Sequence, residues 1–171
     1  MEIKSKLPNL FTLLNLSLGV LAIINMFHNE YYLSSLLIIL ATLLDRFDGM
    51  LARKFNATSS LGKELDSLCD LISFGIAPSI LIWNIKLVSL GSIGTLITIL
   101  YAVSGAYRLA RYNTTTFEGV YVGIPITLAG GLVSIISLYS IKYKFNIYAL
   151  AILLLFLSYA MISTKIRLKK R

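Results

Sequence analysis

The chain has 171 residues, of which 57% are hydrophobic and only 14% are charged, and its mean hydropathy is +0.79. A soluble domain carries about a quarter charged residues, so this composition argues against a soluble all-α protein and indicates membrane helices. Lys and Arg number 16 against 8 acidic residues. Because these cations adjoin apolar stretches, membrane lipid headgroups are their predicted partners, and nucleic acid is not.

Six apolar stretches of about 19–23 residues follow one another along the chain, and each is long enough to cross a hydrocarbon core of ~30 Å. Their predicted bounds are 9–27, 31–53, 61–83, 88–110, 120–141 and 145–165. The connections are short, so neighbouring helices are predicted to be antiparallel. The sequence therefore predicts one membrane-embedded all-α domain over residues 1–171, with six transmembrane helices and no soluble domain.

The distribution of Lys and Arg predicts the orientation of these helices. With the N-terminus inside, all of the 16 basic residues except Lys86, Lys142 and Lys144 lie on the cytoplasmic side. Such a bias predicts that both termini face the cytoplasm, in a protein of the cell membrane.

Four aspartates lie in the second and third predicted helices, where a carboxylate is costly and usually functional. Asp45 and Asp48 share one helical face, and Asp66 and Asp70 share a face of the next helix. An antiparallel hairpin centred near residues 56–58 places Asp45 opposite Asp70 and Asp48 opposite Asp66. The four carboxylates then form two layers toward the cytoplasmic face.

The same hairpin pairs Ala52 with Gly62, and Gly49 lies beside Asp48, so a bulky group has room to approach the backbone. Arg53 at the rim is predicted to neutralise a phosphate. Four neighbouring carboxylates need cations, and two divalent metals ~3.5–4 Å apart form a clamp for phosphoryl transfer. The spacing alone leaves open a carboxylate-based ion transporter, in which the small residues serve helix packing.

These residues form the pattern Asp45-x2-Asp48-Gly49-x2-Ala52-Arg53-x8-Gly62-x3-Asp66-x3-Asp70. The pattern resembles the signature of the CDP-alcohol phosphatidyltransferase family at every fixed position, over about one sixth of the chain. The layout of six membrane helices agrees with the fold of that family.

Further segments resemble the phosphatidylserine synthase branch of this family. They are residues 7–15, the extension past the last aspartate at residues 70–78, and three pieces around the fourth predicted loop, 108–113, 117–119 and 123–125. Together they favour serine as acceptor over glycerol 3-phosphate or inositol phosphate, which remain alternatives.

The resemblance implies a reaction. A CDP-activated diacyl or dialkyl lipid, such as CDP-diacylglycerol or CDP-archaeol, binds with its pyrophosphate on two divalent cations, Mg²⁺ or Mn²⁺. The hydroxyl of L-serine then attacks the lipid-side phosphorus directly, and CMP leaves. By the same resemblance Asp45, Asp48 and Asp66 are chiefly metal ligands, while Asp70 is the general base and touches the second metal. The family also implies a homodimer.

Polar residues of the first predicted helix are further candidates. Asn9 and Thr12 share a helical stripe with Asn15, where they contact nucleotide or phosphate, or else make interhelical hydrogen bonds. The predicted CDP-lipid-binding residues are thus Gly49, Ala52, Arg53, Gly62, Asn9 and Thr12.

Arg108 and Arg111 lie three residues apart at the cytoplasmic end of the fourth predicted helix. They are predicted to bind the serine carboxylate or the lipid phosphate, and the alternative is a cationic anchor for the helix. Lys63 and Glu64 are predicted to form a solvated rim.

Overall fold

The structure is a computed structural model that describes residues 2–54, 59–115 and 120–169. Within these ranges it leaves undescribed the side chains of residues 2–8, 48–49, 51–54, 120–121 and 167–169. The described residues form six helical segments, as the sequence predicts. They are α1 (Glu2–Phe27), α2 (Tyr31–Lys54), a third segment, α5 (Ser92–Thr114), α6 (Ile126–Lys142) and α7 (Ile147–Ile162).

The third segment has three parts: α3 (Ser60–Asp70), a π-helical stretch (Leu71–Ile76) and α4 (Ala77–Ile85). Ser59 caps α3, since its side chain accepts a hydrogen bond of 3.0 Å from the main-chain nitrogen of Gly62. π-helical stretches are rare and often lie at functional sites. Here the stretch begins directly after Asp70.

The distribution of side chains in the described residues is that of a membrane bundle. Large apolar residues face outward on the helices, and Ile93, Leu96 and Ile152 are each about two thirds exposed. Small polar residues lie inside, such as Ser73 and Ser134, both 0% exposed. In a membrane, small and hydroxyl-bearing residues bring helices together while apolar side chains meet lipid.

Three described helical stretches are long and apolar enough to cross a membrane: Asn9–Phe27, Ser60–Ile85 and Ser92–Thr114. The apolar helices α6 and α7 are shorter, with 17 and 16 residues. Close packing joins these helices at glycines. A Cβ on Gly130 of α6, for example, would lie 2.6 Å from the main-chain oxygen of Phe74 in the π-helical stretch.

The connections differ from the predicted bounds where the backbone changes direction. A 3₁₀ turn (Leu87–Leu90) ends at Gly91, whose φ of 59° interrupts the helix, so α5 begins at Ser92 rather than at residue 88. Before α6, Gly123 has a φ of 80°, and Pro125 is the N-cap. The fifth helix therefore begins at Ile126 rather than at residue 120.

A short antiparallel strand pair lies at this junction, which the helix predictions did not include. Strand β1 (Val120–Val122) pairs with β2 (Arg167–Lys169), so the segment before α6 is joined to the segment after α7. The main-chain nitrogen of Gly123 donates to the oxygen of Ile166 at 2.9 Å, which extends the pairing.

Candidate active site

The structure brings together three of the predicted aspartates, one from α2 and two from α3. Asp45, Asp66 and Asp70 each offer a carboxylate oxygen, and these oxygens lie within 4.8 Å of one another. The carboxyl groups of Asp45 and Asp70 are within hydrogen-bonding distance, as expected from the hairpin pairing. Asp70 is buried, with 7% of its surface exposed, and the other two are half-buried.

Four other predicted residues of the signature belong to the same hairpin. Asp48, Gly49, Ala52 and Arg53 lie in α2, but their side chains lie outside the described residues. Their predicted roles therefore stay predictions.

The chemistry of the cluster fits a hard divalent cation. Three carboxylates within 4.8 Å repel one another strongly unless positive charge lies between them. Carboxylate oxygens are the ligands that Mg²⁺ and Mn²⁺ prefer, and Mg²⁺ usually completes its coordination with water and substrate phosphates. Asp45, Asp66 and Asp70 therefore form a site that can hold a divalent metal ion.

Two residues from other helices also interact with Asp45. Thr127, in the first turn of α6, has its hydroxyl within hydrogen-bonding distance of this carboxylate, and Arg108 of α5 attracts it electrostatically. Arg108 is 8% exposed. Sequence reasoning missed Thr127, since only the packing of α6 against α2 reveals its proximity to Asp45.

Helix α1 lies along the aspartate face of α3. The amide oxygen of Asn9 lies 3.1 Å from the place where a Cβ on Gly62 would lie. Deeper in the bundle, the Ser73 hydroxyl donates a hydrogen bond of 3.0 Å to the main-chain oxygen of Asn15. Thr12 lies between these two contacts and is 5% exposed. The predicted polar stripe of α1 thus faces the cleft that contains Asp66 and Asp70.

The π-helical stretch after Asp70 has a partner on α5. The Tyr101 hydroxyl donates a hydrogen bond of 3.3 Å to the main-chain oxygen of Phe74, and both residues are 0% exposed. Together with the Ser73 contact to α1, this bond fixes the helix immediately beyond Asp70.

Arg111 points to the main chain rather than to the carboxylate cluster. Its guanidinium donates to the carbonyl oxygens of Val122 at 3.2 Å and Met161 at 3.3 Å, and also to that of Ile162. It thereby joins the ends of α5 and α7 to strand β1. Only Arg108 of the predicted pair interacts with Asp45.

Lys63 and Glu64 are exposed, as predicted for a solvated rim, and both also contact α5. The Lys63 ammonium group donates to the main-chain oxygen of Asn113 at 3.2 Å and lies 5.5 Å from the centre of the Tyr112 ring. The Asn113 amide in turn donates to Ser67 at 3.0 Å and to Glu64 at 3.2 Å. These contacts join the N-terminal part of α3 to the C-terminal end of α5.

Comparison with known proteins identifies the family of this chain. The model of the CDP-alcohol phosphatidyltransferase family matches residues 5–168. A CDP-diacylglycerol–serine O-phosphatidyltransferase of Bacillus subtilis is 38% identical over 158 residues, which cover 92% of this chain and 86% of the relative. A protein of the same name from Helicobacter pylori is 38% identical over 141 residues, covering 81% of this chain and 60% of that protein.

An archaeal relative is named for a different lipid product. The archaetidylserine synthase of Methanothermobacter thermautotrophicus is 38% identical over 131 residues, which cover 75% of this chain and 56% of that protein. This chain thus spans less than two thirds of the Helicobacter and Methanothermobacter proteins and most of the Bacillus protein. The match over residues 5–168, together with the apolar helices, makes this an integral membrane protein. The chain belongs to the CDP-alcohol phosphatidyltransferase family.

Proposed function

We propose that this chain transfers the phosphatidyl group of a CDP-activated lipid to the hydroxyl of L-serine and releases CMP. The observation that carries the proposal is the cluster of Asp45, Asp66 and Asp70 within 4.8 Å, at the fixed positions of the signature. The names of the relatives support serine as the acceptor, and they include both diacylglycerol and archaetidyl lipids.

We propose that two divalent cations, Mg²⁺ or Mn²⁺, bind at this cluster, held by Asp45, Asp66 and Asp70 together with Asp48. When bound, the cations neutralise the pyrophosphate of the CDP-lipid and the charge that develops at phosphorus. In the proposal the cluster opens toward the cytoplasmic face of the bundle, where a lipid in the bilayer can present its headgroup.

Asp70 is the proposed general base. It accepts the proton of the serine hydroxyl as that oxygen attacks the lipid-side phosphorus, and the bond between this phosphorus and the oxygen of CMP breaks. CMP leaves with the electron pair of that bond. Asp70 is buried, and contacts from α1 and α5 hold the π-helical stretch beyond it, so the movement of this carboxylate is restricted for this step.

The nucleotide half of the substrate is proposed to lie between α1 and α3. Asn9 and Thr12 provide polar groups along this cleft, and Gly62, which lacks a side chain, lets the Asn9 amide oxygen approach α3 closely. In the proposal Gly49 and Ala52 widen the cleft from α2, and Arg53 neutralises a phosphate at its rim.

Arg108 is the proposed partner of the serine carboxylate. A guanidinium binds a carboxylate through two parallel hydrogen bonds, which also orients the hydroxyl of the bound serine. Arg108 is positioned for this role because it lies beside the aspartate cluster. Arg111, in contrast, already bonds three carbonyl groups and is assigned to the junction of α5, β1 and α7.

The active site and both termini are proposed to face the cytoplasm. The positive-inside bias supports this orientation, since Lys63, Arg108 and Arg111 lie at the end of the bundle that carries the aspartates, while Lys86 and Lys142 lie at the other. A homodimer is proposed from the family resemblance, and the mass of the detergent-solubilised particle, measured by light scattering, tests it.

The reaction is tested with purified protein, CDP-diacylglycerol, Mn²⁺ or Mg²⁺, and separate acceptors, with CMP release as the readout. CMP release with serine, and not with glycerol 3-phosphate or inositol phosphate, supports the proposal. CMP release only with another alcohol overturns the acceptor. No CMP with any acceptor, combined with cation flux in liposomes, overturns the reaction in favour of a transporter.

A further inference from the structure

Tyr112 near the end of α5 lies close to two cations from different helices. The guanidinium carbon of Arg108, one turn earlier on α5, is 5.8 Å from the centre of the Tyr112 ring. The ammonium group of Lys63 on α3 is 5.5 Å from the same centre. Both distances lie within the ~6 Å over which an aromatic ring attracts a cation.

Hydrogen bonds between α3 and α5 hold Asn113, the residue next to this tyrosine. Lys63 donates to the main-chain oxygen of Asn113 at 3.2 Å, and the Asn113 amide donates to Ser67 at 3.0 Å. Ser67 lies on α3 between Lys63 and Asp70. The residue next to Tyr112 is therefore bonded to the same helix that carries the proposed catalytic aspartate.

Two like charges beside one ring repel each other, and an anion nearby relieves that repulsion. Asp45 provides part of this compensation for Arg108. If Asp45 is engaged with metal ions, as proposed, the guanidinium gains capacity for another anion. The acceptor carboxylate meets this requirement, because the pyrophosphate of the CDP-lipid is already neutralised by the metals.

We propose that Tyr112 and Lys63 are positioning residues that hold the Arg108 guanidinium toward the carboxylate of the acceptor. This inference rests on the proposed function and deepens it, because it identifies how the site selects an acceptor that carries a carboxylate. Tyr112 acts through the face of its ring, and Lys63 acts by holding Tyr112 from α3.

The test compares L-serine with L-serinamide, which keeps the hydroxyl and the ammonium group but lacks the carboxylate. Removing the ring with Tyr112→Leu is expected to raise the KM for serine about 3- to 10-fold, the scale of a lost cation–π contact. The KM for CDP-diacylglycerol and the kcat/KM for serinamide are expected to stay the same. Tyr112→Phe keeps the ring and is expected to keep the serine KM.

A matched control is available at the opposite end of the bundle, where Lys142 lies 5.8 Å from the centre of the Tyr143 ring. Tyr143→Leu removes a similar contact and is expected to leave all three kinetic constants unchanged. Lys63→Met removes the second cation at an exposed position. It is expected to raise the serine KM without changing the kcat/KM for serinamide. If Tyr112→Leu does not fold, this second variant tests the proposal.

Equal losses with serine and serinamide overturn the inference, because a structural defect does not distinguish the two acceptors. A rise in the CDP-diacylglycerol KM alone also overturns it and assigns Arg108 to the lipid phosphate. These results differ from a failure of the proposed function, in which the unmodified protein releases no CMP with serine.

Discussion

The Ser73 hydroxyl donates a hydrogen bond of 3.0 Å to the main-chain oxygen of Asn15. This bond joins α1 to the π-helical stretch that follows Asp70, although the two residues are 58 positions apart in sequence. Earlier along both helices Asn9 lies against Gly62, so α1 and α3 run in the same direction. The polar stripe of α1 and the aspartate face of α3 therefore line one cleft.

This cleft makes Gly62 sensitive to any added side chain. A Cβ at this position would lie 3.0 Å from the Ser59 hydroxyl oxygen and 3.1 Å from the Asn9 amide oxygen, so Gly62→Ala displaces Asn9. We expect the KM for the CDP-lipid to rise ~5-fold, because steric crowding costs about 1 kcal/mol of binding free energy. Kinetics with the lipid varied would measure this. Ser60→Ala in the same turn is the control, and an unchanged KM in Gly62→Ala would remove Asn9 from the lipid site.

Metal removal tests the carboxylate cluster directly. We expect EDTA to abolish CMP release and Mn²⁺ or Mg²⁺ to restore it, because Asp45, Asp66 and Asp70 offer oxygen ligands within 4.8 Å. Titration of Mn²⁺ followed by electron paramagnetic resonance would give the number of ions bound and their affinity. Asp45→Asn is expected to weaken that binding. Full activity in metal-free buffer would contradict the assignment.

Asp70→Asn separates proton transfer from metal binding. The substitution keeps the size of the side chain and removes the base, so turnover is expected to fall by about 10²-fold or more. Binding of the CDP-lipid is expected to survive. A near-normal kcat would move the base elsewhere. Loss of Mn²⁺ affinity together with lipid binding would instead make Asp70 chiefly a metal ligand.

The pairing of Asp45 with Asp70 could be predicted from sequence because a short antiparallel hairpin leaves little freedom in register. The π-helical stretch could not, since Leu71–Ile76 continues an apolar helical pattern that gives no sign of the change in backbone hydrogen bonding. The start of the fifth helix was misjudged at residue 120. Hydrophobicity does not distinguish strand β1 from a membrane helix, although Gly123 and Pro125 signal the break.

The residues of the candidate site could also be predicted only in part from the sequence. Spacing along one helix or across one hairpin identified the aspartates, but Thr127 reaches Asp45 from a helix far along the chain. A lone threonine two residues after a proline gives no signal of such a contact. Likewise the three carbonyl partners of Arg111 lie on β1 and α7, so nothing local distinguished Arg111 from Arg108.

Thr127→Val tests the contact between α6 and the cluster. Valine has nearly the shape of threonine but lacks the hydroxyl that bonds Asp45. We expect Mn²⁺ affinity to fall ~5-fold, because a typical hydrogen bond contributes about 1 kcal/mol. Thr127→Ser should restore the affinity. Thr98→Val is the control, since the Thr98 hydroxyl bonds Gly94 in its own helix. Unchanged Mn²⁺ binding in Thr127→Val would exclude Thr127 from the site.

Arg111→Lys and Arg108→Lys together decide which arginine serves the acceptor. The Arg111 guanidinium bonds Val122, Met161 and Ile162, and an ammonium group cannot reproduce a planar fork on three carbonyls. We expect Arg111→Lys to lower the thermal midpoint in detergent by ~4–8 °C, the equivalent of about 2 kcal/mol. Its serine KM should stay close to that of the unmodified protein.

Arg108→Lys should show the opposite pattern, with a raised serine KM and a smaller change in the midpoint, because its guanidinium lies beside the cluster rather than in a structural junction. Kinetics with serine and the CDP-lipid varied in turn, combined with thermal unfolding of both variants, would measure the difference. If Arg111→Lys raises the serine KM more than Arg108→Lys does, with no loss of stability, Arg111 must leave its three carbonyl partners to bind serine. The assignment of Arg108 to the acceptor carboxylate would then be wrong.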